Sequence, residues 1–483
     1  MKLNDKEFFK LSFLYSAVAA FPPLLSLFVR PLIEGPNKLL PADFSQIEIT
    51  ETITSLAFII AIFGMSTAIS RFYYDHIENR KNYNKLVSGI YNSILLRGFI
   101  VFLVAYIFKD YIGLLFTQTE LQDFSKYGFA ALLTGIFRAI NTTAFALYRN
   151  EKKVRLYLIF SFILGALRAI SQLVGVFYFD MSFIGYVYGS AIGSGLVSIS
   201  ILIYTYYHSG FHYDRKILKP ANKFALPLFE FAFVAWGINF ADRYFLESTP
   251  VTLGIYAQAL LLGKGIEIIL QGFQGATQPE IFRMMRDGTK KNSNEIKKLS
   301  NLLLAQSQLL IAVAIIPAML YCLIFKTDLK LAAGFIAIVF IRYILRTQYI
   351  IFSIPLYFEK KTKIFLYLNI LVLIVNLLLL YFLIPIWGAY GAIVSILVSQ
   401  TIQVIGIYFY QNKTIYIPWN ITKLLIFPFV IIIATVTTEI VKLQFNLNPF
   451  ISAAIVVMVI FGSLTILYKN EIRNIINKRW KQL

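Results

Sequence analysis

Seven basic side chains lie inside stretches otherwise apolar enough to cross a membrane: Arg97, Arg138, Arg168, Arg243, Lys264, Arg342 and Arg346. A cation at the bilayer centre costs about 2.5–3.5 kcal/mol even on the lenient insertion scale, so such residues turn toward a bundle interior or a wet cavity. Arginine's planar fork donates two parallel hydrogen bonds to a phosphate and keeps its charge at physiological pH. The residue types thus point to an anionic passenger. For Arg97, and for Arg243 beside Asp242, a local salt bridge or a snorkelling chain is an equal reading.

Polar neighbours recur with helical spacing around these cations. Lys264, Glu267, Gln271, Gln274 and Gln278 follow one another at three, four, three and four residues, which puts them on one helix face. That face reads as a cavity wall, against the plainer reading of an internal Lys264–Glu267 pair with amides gluing helices together. Arg342 and Arg346 lie one turn apart, on a face continued by Tyr349 and Ser353. They repel each other and need acids such as Asp242 or Glu267, or a bound anion. Thr134 and Asn141 flank Arg138, Ser161 and Gln172 flank Arg168, and Ser93 is one turn from Arg97.

Glu230, Asp242 and Glu267 are the intramembrane acids, open to two roles: coupling a proton or sodium ion, or pairing with the cations. The three histidines, His76, His208 and His212, fall in links and find no third ligand. No metal site and no cofactor is expected.

The elements that must position these groups are membrane helices. Of 483 residues, 58% are hydrophobic and 14% charged, against about 25% charged in a soluble domain, and the mean hydropathy is +0.69. At about 20 residues per crossing the chain holds roughly fourteen spans, near 11–29, 49–70, 87–108, 127–148, 156–178, 183–207, 224–246, 252–276, 300–325, 331–354, 364–384, 389–410, 422–442 and 449–468. The links leave no room for a soluble domain. The first span follows Lys2, Lys6 and Lys10 without a cleavage motif and reads as retained. Cys322, the single cysteine, excludes an intrachain disulfide and is expected as an inert buried thiol.

The net charge of +20 is topological. Counting alternate links, roughly 31 of the 45 Lys and Arg fall on one side, with about seven on the other and about seven in spans, so both termini are expected in the cytoplasm. The basic runs lack the interleaved aromatics of an RNA-binding motif, so no nucleic-acid partner is expected.

An internal repeat aligns Leu147-Tyr148-Arg149-Asn150-Glu151-Lys152-Lys153 with Leu356-Tyr357-Phe358-Glu359-Lys360-Lys361, and Tyr188-Gly189-Ser190-Ala191-Ile192 with Tyr390-Gly391-Ala392-Ile393-Val394. The offset is about 208 residues, six helices on six, and each pair enters from one side, so the repeat is parallel. The expected division is 1–222 and 223–412 as six-helix lobes flanking a central cleft, with 413–483 as two further helices and a basic tail. Arg138 precedes its marker by nine residues and Arg346 by ten, so the two arginines correspond.

The stretch Asn239-Phe240-Ala241-Asp242-Arg243-Tyr244-Phe245-Leu246, then Gly254-Ile255-Tyr256-Ala257 and Gln278-Pro279-Glu280-Ile281, resembles the polysaccharide-export flippases. So do the run from Pro355 through Asn376, Ile384-Pro385 and Gly388-Ala389-Tyr390-Gly391-Ala392, and, near the start, Phe63-Gly64 with Ala68 to Phe72. The resemblance covers essentially the whole chain. It implies the all-α fold of the multidrug/oligosaccharidyl-lipid/polysaccharide (MOP) superfamily. It also implies a Wzx-like activity in a bacterial plasma membrane, flipping an undecaprenyl-pyrophosphate-linked oligosaccharide from the inner to the outer leaflet by alternating access. The substrate side chains would be Arg138, Arg346, Arg342, Lys264, Arg168 and Arg97, in a cleft lined by Gln271, Gln274 and Asn141. Implied partners are the lipid-linked oligosaccharide, membrane lipids, and a polysaccharide polymerase with its chain-length machinery.

Two competing functions are weaker. A drug/cation antiporter of the same superfamily calls for an acidic or aromatic cavity, and the first span has no Asp or Glu between Leu11 and Phe28. A membrane-embedded polymerase or glycosyltransferase calls for a catalytic constellation facing a large loop, and the outer links offer only Glu34, Asp43, Glu120 and Asp123. No enzymatic activity is expected.

Overall fold

Lipid offers no partner to a backbone amide, so apolar runs of this length must close their hydrogen bonds within helices. The computed structural model describes residues 21–469, apart from 23, 77, 181 and 362. Among the described residues there is no strand beyond an isolated bridge, Glu34 to Leu39, and twelve helices are long and apolar enough to cross a membrane.

In chain order the helices are α1 (Leu24–Ile33), α2 (Pro41–Ile62), α3 (Met65–His76), α4 (Arg80–Ile107), α5 (Phe124–Asn150), α6 (Val154–Val174), α7 (Phe183–Ser209), α8 (Arg215–Leu246), α9 (Pro250–Arg286), α10 (Ser293–Cys322), α11 (Ile336–Phe358), α12 (Lys363–Trp387), α13 (Ala389–Thr414), α14 (Phe427–Phe445) and α15 (Pro449–Leu467). Helices α2 and α3 run on as one span. With the 23-residue α11, the second to fourteenth expected spans are all helical. Residues 1–20, which hold the basic leader and most of the first expected span, lie outside the described residues.

One boundary departs from expectation. Helix α2 begins at Pro41 rather than near 49, because proline suits the first helical turn and the Asp43 carboxylate accepts from the Leu40 amide at 2.8 Å. Its early turns are polar, with Ser45, Gln46 and Glu48 buried against protein, so hydropathy alone could not find them.

Between α2 and α3 the helix breaks at Phe63 and Gly64, both left-handed at φ 46° and 73°. Gly64 is required there, since a Cβ would also meet the Ala225 carbonyl oxygen on α8 at 3.0 Å.

The chain divides into two compact units, Met1–Ala257 and Gln258–Leu483. In the first, α5 packs against α2, α4 and α7, and α8 packs on α2, α3 and α4, which carries the unit past the sixth expected span. Its core includes Ile90, Tyr91, Ile94, Ile140, Ala144, Tyr148 and Ile201. In the second, α11 packs with α10 and α13, and α13 with α12. Helices α14 and α15 lie on α11 and α10. Lys442 of α14 bonds Glu439, donates to the Gly334 carbonyl at 2.7 Å and sits over the Tyr390 ring. Cys322 is buried and free.

Candidate functional site

In unit 1 the long polar start of α2 assembles a buried ion lattice. Arg30 contacts Glu48 at 2.8 Å, Arg243 lies 3.7 Å from Glu48 and 2.8 Å from Asp242, and Asp242 accepts from the Tyr256 hydroxyl at 2.7 Å. All four charged residues are under 10% exposed. Two cations meet two anions, so the lattice is neutral, as buried ions must be to avoid a desolvation penalty of several kcal/mol each. Arg243 thus pairs with Asp242, and with Glu48 as well.

One turn further along α2, Glu51 meets Arg138 of α5 at 2.9 Å, with the guanidinium 4.9 Å from the Phe58 ring centroid. This pair is more open, with side chains 45% exposed for Arg138 and 23% for Glu51. Trp236 of α8 donates to the Thr52 carbonyl at 3.2 Å, adding an aromatic edge. Tyr186 of α7 feels the charges of Arg30, Arg168, Glu51 and Glu48, which places Arg168 beside the same polar region.

Two expected site residues are engaged elsewhere in unit 1. Arg97 donates to the Ala61 carbonyl at 3.3 Å and to Asn222 Oδ1 at 2.8 Å, with the Phe63 ring 4.5 Å away. It therefore serves the carboxyl end of α2, where unpaired carbonyls and the helix dipole favour a cation. Asn141 accepts from Ser198 at 2.9 Å inside the α5–α7 contact.

In unit 2, α9 and α11 meet at Gly263, where a Cβ would lie 2.9 Å from the Tyr343 hydroxyl. Glycine there lets the two helices approach closely. Arg342 lies 3.4 Å from the Tyr343 hydroxyl and over its ring. Arg342, Arg346 and Glu267 all act on Tyr343 electrostatically, so three of the expected residues surround it. Arg346 is exposed, stands over Tyr349 at 5.9 Å, and has no acidic partner among the described residues. Gln271 is exposed and Gln274 donates to Gln278 at 3.1 Å, so that amide stripe bonds partly within itself. Glu230 is exposed on α8, with no ion pair among the described residues.

Sequence reasoning missed Arg30, Glu48, Glu51 and Glu247. Arg30 and Glu48 fall at the two ends of an expected outer link, and Glu51 just inside the expected span 49–70. Glu247 is buried and takes the Thr117 amide at 3.0 Å, the Thr117 hydroxyl at 2.6 Å and the Gln118 amide at 2.8 Å, latching the 108–123 link to the end of α8. The available signal was the run Ser45-Gln46-Ile47-Glu48-Ile49-Thr50-Glu51, whose acids at i and i+3 share a helix face. Among the described residues, no group of three His, Cys, Asp or Glu side chains could hold a metal.

No family model matches the sequence, and no curated protein matches it. Solved structures do. The lipid II flippase MurJ in an inward closed conformation aligns over 95% of this chain and 100% of its own, with TM-score 0.70 and 14% identity. An inward-facing multidrug resistance MATE family transporter of the MOP superfamily aligns over 83% of this chain and 98% of its own, with TM-score 0.61 and 12% identity. A MOP superfamily transporter from Pyrococcus furiosus, described as having a binding pocket of reverse polarity, aligns over 83% and 95%, with TM-score 0.57 and 14% identity. At these identities the likeness establishes the fold: an all-helical, multi-pass architecture shared with MOP superfamily transporters.

Proposed function

We propose that this chain is a flippase for an undecaprenyl-pyrophosphate-linked oligosaccharide, moving it from the inner to the outer leaflet of a bacterial plasma membrane by alternating access. The observation that carries this reading is Arg346, an exposed cation on the largely apolar 23-residue α11, with no acidic partner among the described residues. Facing lipid it would cost about 2.5–3.5 kcal/mol, so it faces water and an anion instead. Arg342 lies one turn away on the same helix, and in unit 1 Arg138 offers a second cation once Glu51 yields it. Pyrophosphate suits these forks.

Energetics support the direction. An inside-negative potential of 100 mV favours outward movement of each negative charge by about 2.3 kcal/mol. The polyprenyl tail stays in lipid while the charged, hydrated head passes a polar route, so no bond need break. The likeness to the lipid II flippase MurJ supports a lipid-linked passenger. The 1–222, 223–412 and 413–483 division, cytoplasmic termini, and association with a polymerase and chain-length machinery belong to the same proposal.

The test is translocation of a fluorescent lipid-linked pyrophosphate oligosaccharide in proteoliposomes. Wild-type protein is expected to expose the head on the far leaflet, and Arg346→Ala to fail while remaining folded. Equal translocation by both, or efflux of cationic dyes without glycolipid flipping, overturns the reading.

A further inference from the structure

A separate cavity of about 270 Å³ opens in unit 1 where the ends of α3, α5 and α7 meet the start of α4. None of the span arginines lines it. It is built from the repeat marker itself, since Leu147, Tyr148, Glu151 and Lys153 form one side. We propose that this cavity is a second anion site, which binds a phosphate ester carrying a small hydroxylated group of glycerol or sugar size.

The charges facing the cavity favour an anion. Its one acid, Glu151, is already satisfied: Lys153 contacts it at 2.9 Å and the Tyr83 hydroxyl bonds it as well. Arg80 lines the cavity and has no acidic partner among the described residues. His208 Nδ1 lies 2.8 Å from the Tyr204 carbonyl. A carbonyl can only accept, so Nδ1 carries the proton and Nε2 is left to accept from the ligand's hydroxyl group. The imidazole also packs against the Tyr204 ring at a tilt of 37°, ring centroids 4.3 Å apart.

The walls select for more than charge. Tyr148 lines the cavity with a residue exposure of 1%, and its hydroxyl has no hydrogen-bond partner. A buried, unpaired hydroxyl is uncommon in a native fold and marks a place for a ligand's polar atom. Asn84, Thr205 and Ser209 add donors and acceptors, and the tyrosine rings present flat apolar surface to a carbohydrate or glycerol face. The volume falls just below the range of about 300–1,000 Å³ typical of drug-sized pockets, which suits a single headgroup.

Two sources share this chemistry: a soluble glycerol or sugar phosphate, and the headgroup of an anionic lipid such as phosphatidylglycerol. For the lipid source, the exposed Tyr207 and Phe211 near the same end offer apolar surface to acyl chains. The experiment uses full-length protein in two arms. In detergent, sn-glycerol 3-phosphate is titrated while thermal unfolding is followed, with glycerol as control. In nanodiscs of phosphatidylglycerol or phosphatidylcholine, retained lipid is read by native mass spectrometry.

Wild type is expected to show a saturable rise in Tm with glycerol phosphate and none with glycerol. The double variant Arg80→Gln with Lys153→Gln should bind at least tenfold more weakly. Variant-sensitive retention of phosphatidylglycerol identifies a lipid source, and its absence alongside glycerol phosphate binding identifies a soluble one. Should the double variant misfold, Tyr148→Phe, which removes only the unpaired hydroxyl, is expected to keep its unliganded Tm and bind severalfold more weakly. A wild type indifferent to both ligands, or a folded variant that binds as tightly as wild type, overturns the proposal.

Discussion

Arg138 in unit 1 and Arg346 in unit 2 stand nine and ten residues before the similar stretches that begin at Leu147 and Leu356, yet their surroundings differ. Arg138 has the Glu51 carboxylate at 2.9 Å, while Arg346 has only the Tyr349 ring and no acid among the described residues. Around Arg138 the balance extends further, through a neutral lattice of Arg30, Glu48, Arg243 and Asp242. An arginine with an internal carboxylate meets a substrate anion only by exchange. An arginine without one is ready at once.

The largest effect should come from unbalancing the buried lattice. Glu48→Gln leaves two guanidinium groups beside one remaining carboxylate in a dry site, and breaking a buried pair this way costs about 3–5 kcal/mol. The variant is expected to be lost on extraction or to unfold well below wild type by differential scanning fluorimetry. An unchanged Tm would mean that water reaches the lattice, and the contrast between a sealed unit 1 and an open unit 2 would fail.

Arg346→Ala should do the reverse, leaving Tm nearly intact and reducing transport. A hydrogen bond to a charged group contributes about 1.5–3 kcal/mol, so glycolipid translocation should fall about 10- to 100-fold. Glu51→Gln is expected to act more weakly and in the opposite sense. The Arg138–Glu51 pair is half-exposed and contributes about 0–1 kcal/mol to stability, so the fold survives. With its internal competitor neutralised, Arg138 should bind a pyrophosphate analogue more tightly, by up to about fivefold for that energy. Weaker analogue binding by Glu51→Gln would show that Glu51 orients Arg138 rather than competing for it.

How much of this was legible follows from what hydropathy can and cannot see. A cation in an apolar run stands out against its neighbours, which is why Arg342, Arg346, Lys264 and Arg138 were found. Glu48 and Arg30 did not stand out, because the outer turns of α2 look like a polar link although they are buried by α1, α8 and the 108–123 link. Burial by other protein is a tertiary property with no local signature. Arg97 was visible as a buried cation, but its partner is a main-chain carbonyl exposed by the Phe63–Gly64 break, and only the backbone conformation reveals that.

The smallest effect calibrates the rest. Lys85 and Asp214 form a 2.9 Å pair in unit 1, outside the buried lattice, and Asp214 also caps α8 by accepting from the Lys216 amide at 3.0 Å. The Lys85 hydrogen bond, above all, holds the Asp214 carboxyl below its ordinary value of 3.8. A depressed carboxylate contributes stability that is complete above its unfolded pKa and is lost as pH falls through the lower folded value. Asparagine caps a helix about as well, so Asp214→Asn isolates the charge. The small Tm advantage of wild type over Asp214→Asn should hold steady from neutral pH down toward 5 and shrink below 3.8. An advantage that persists undiminished in acid would trace to the cap rather than the ion pair. That result would also remove the baseline by which the buried pairs of unit 1 count as electrostatic rather than geometric.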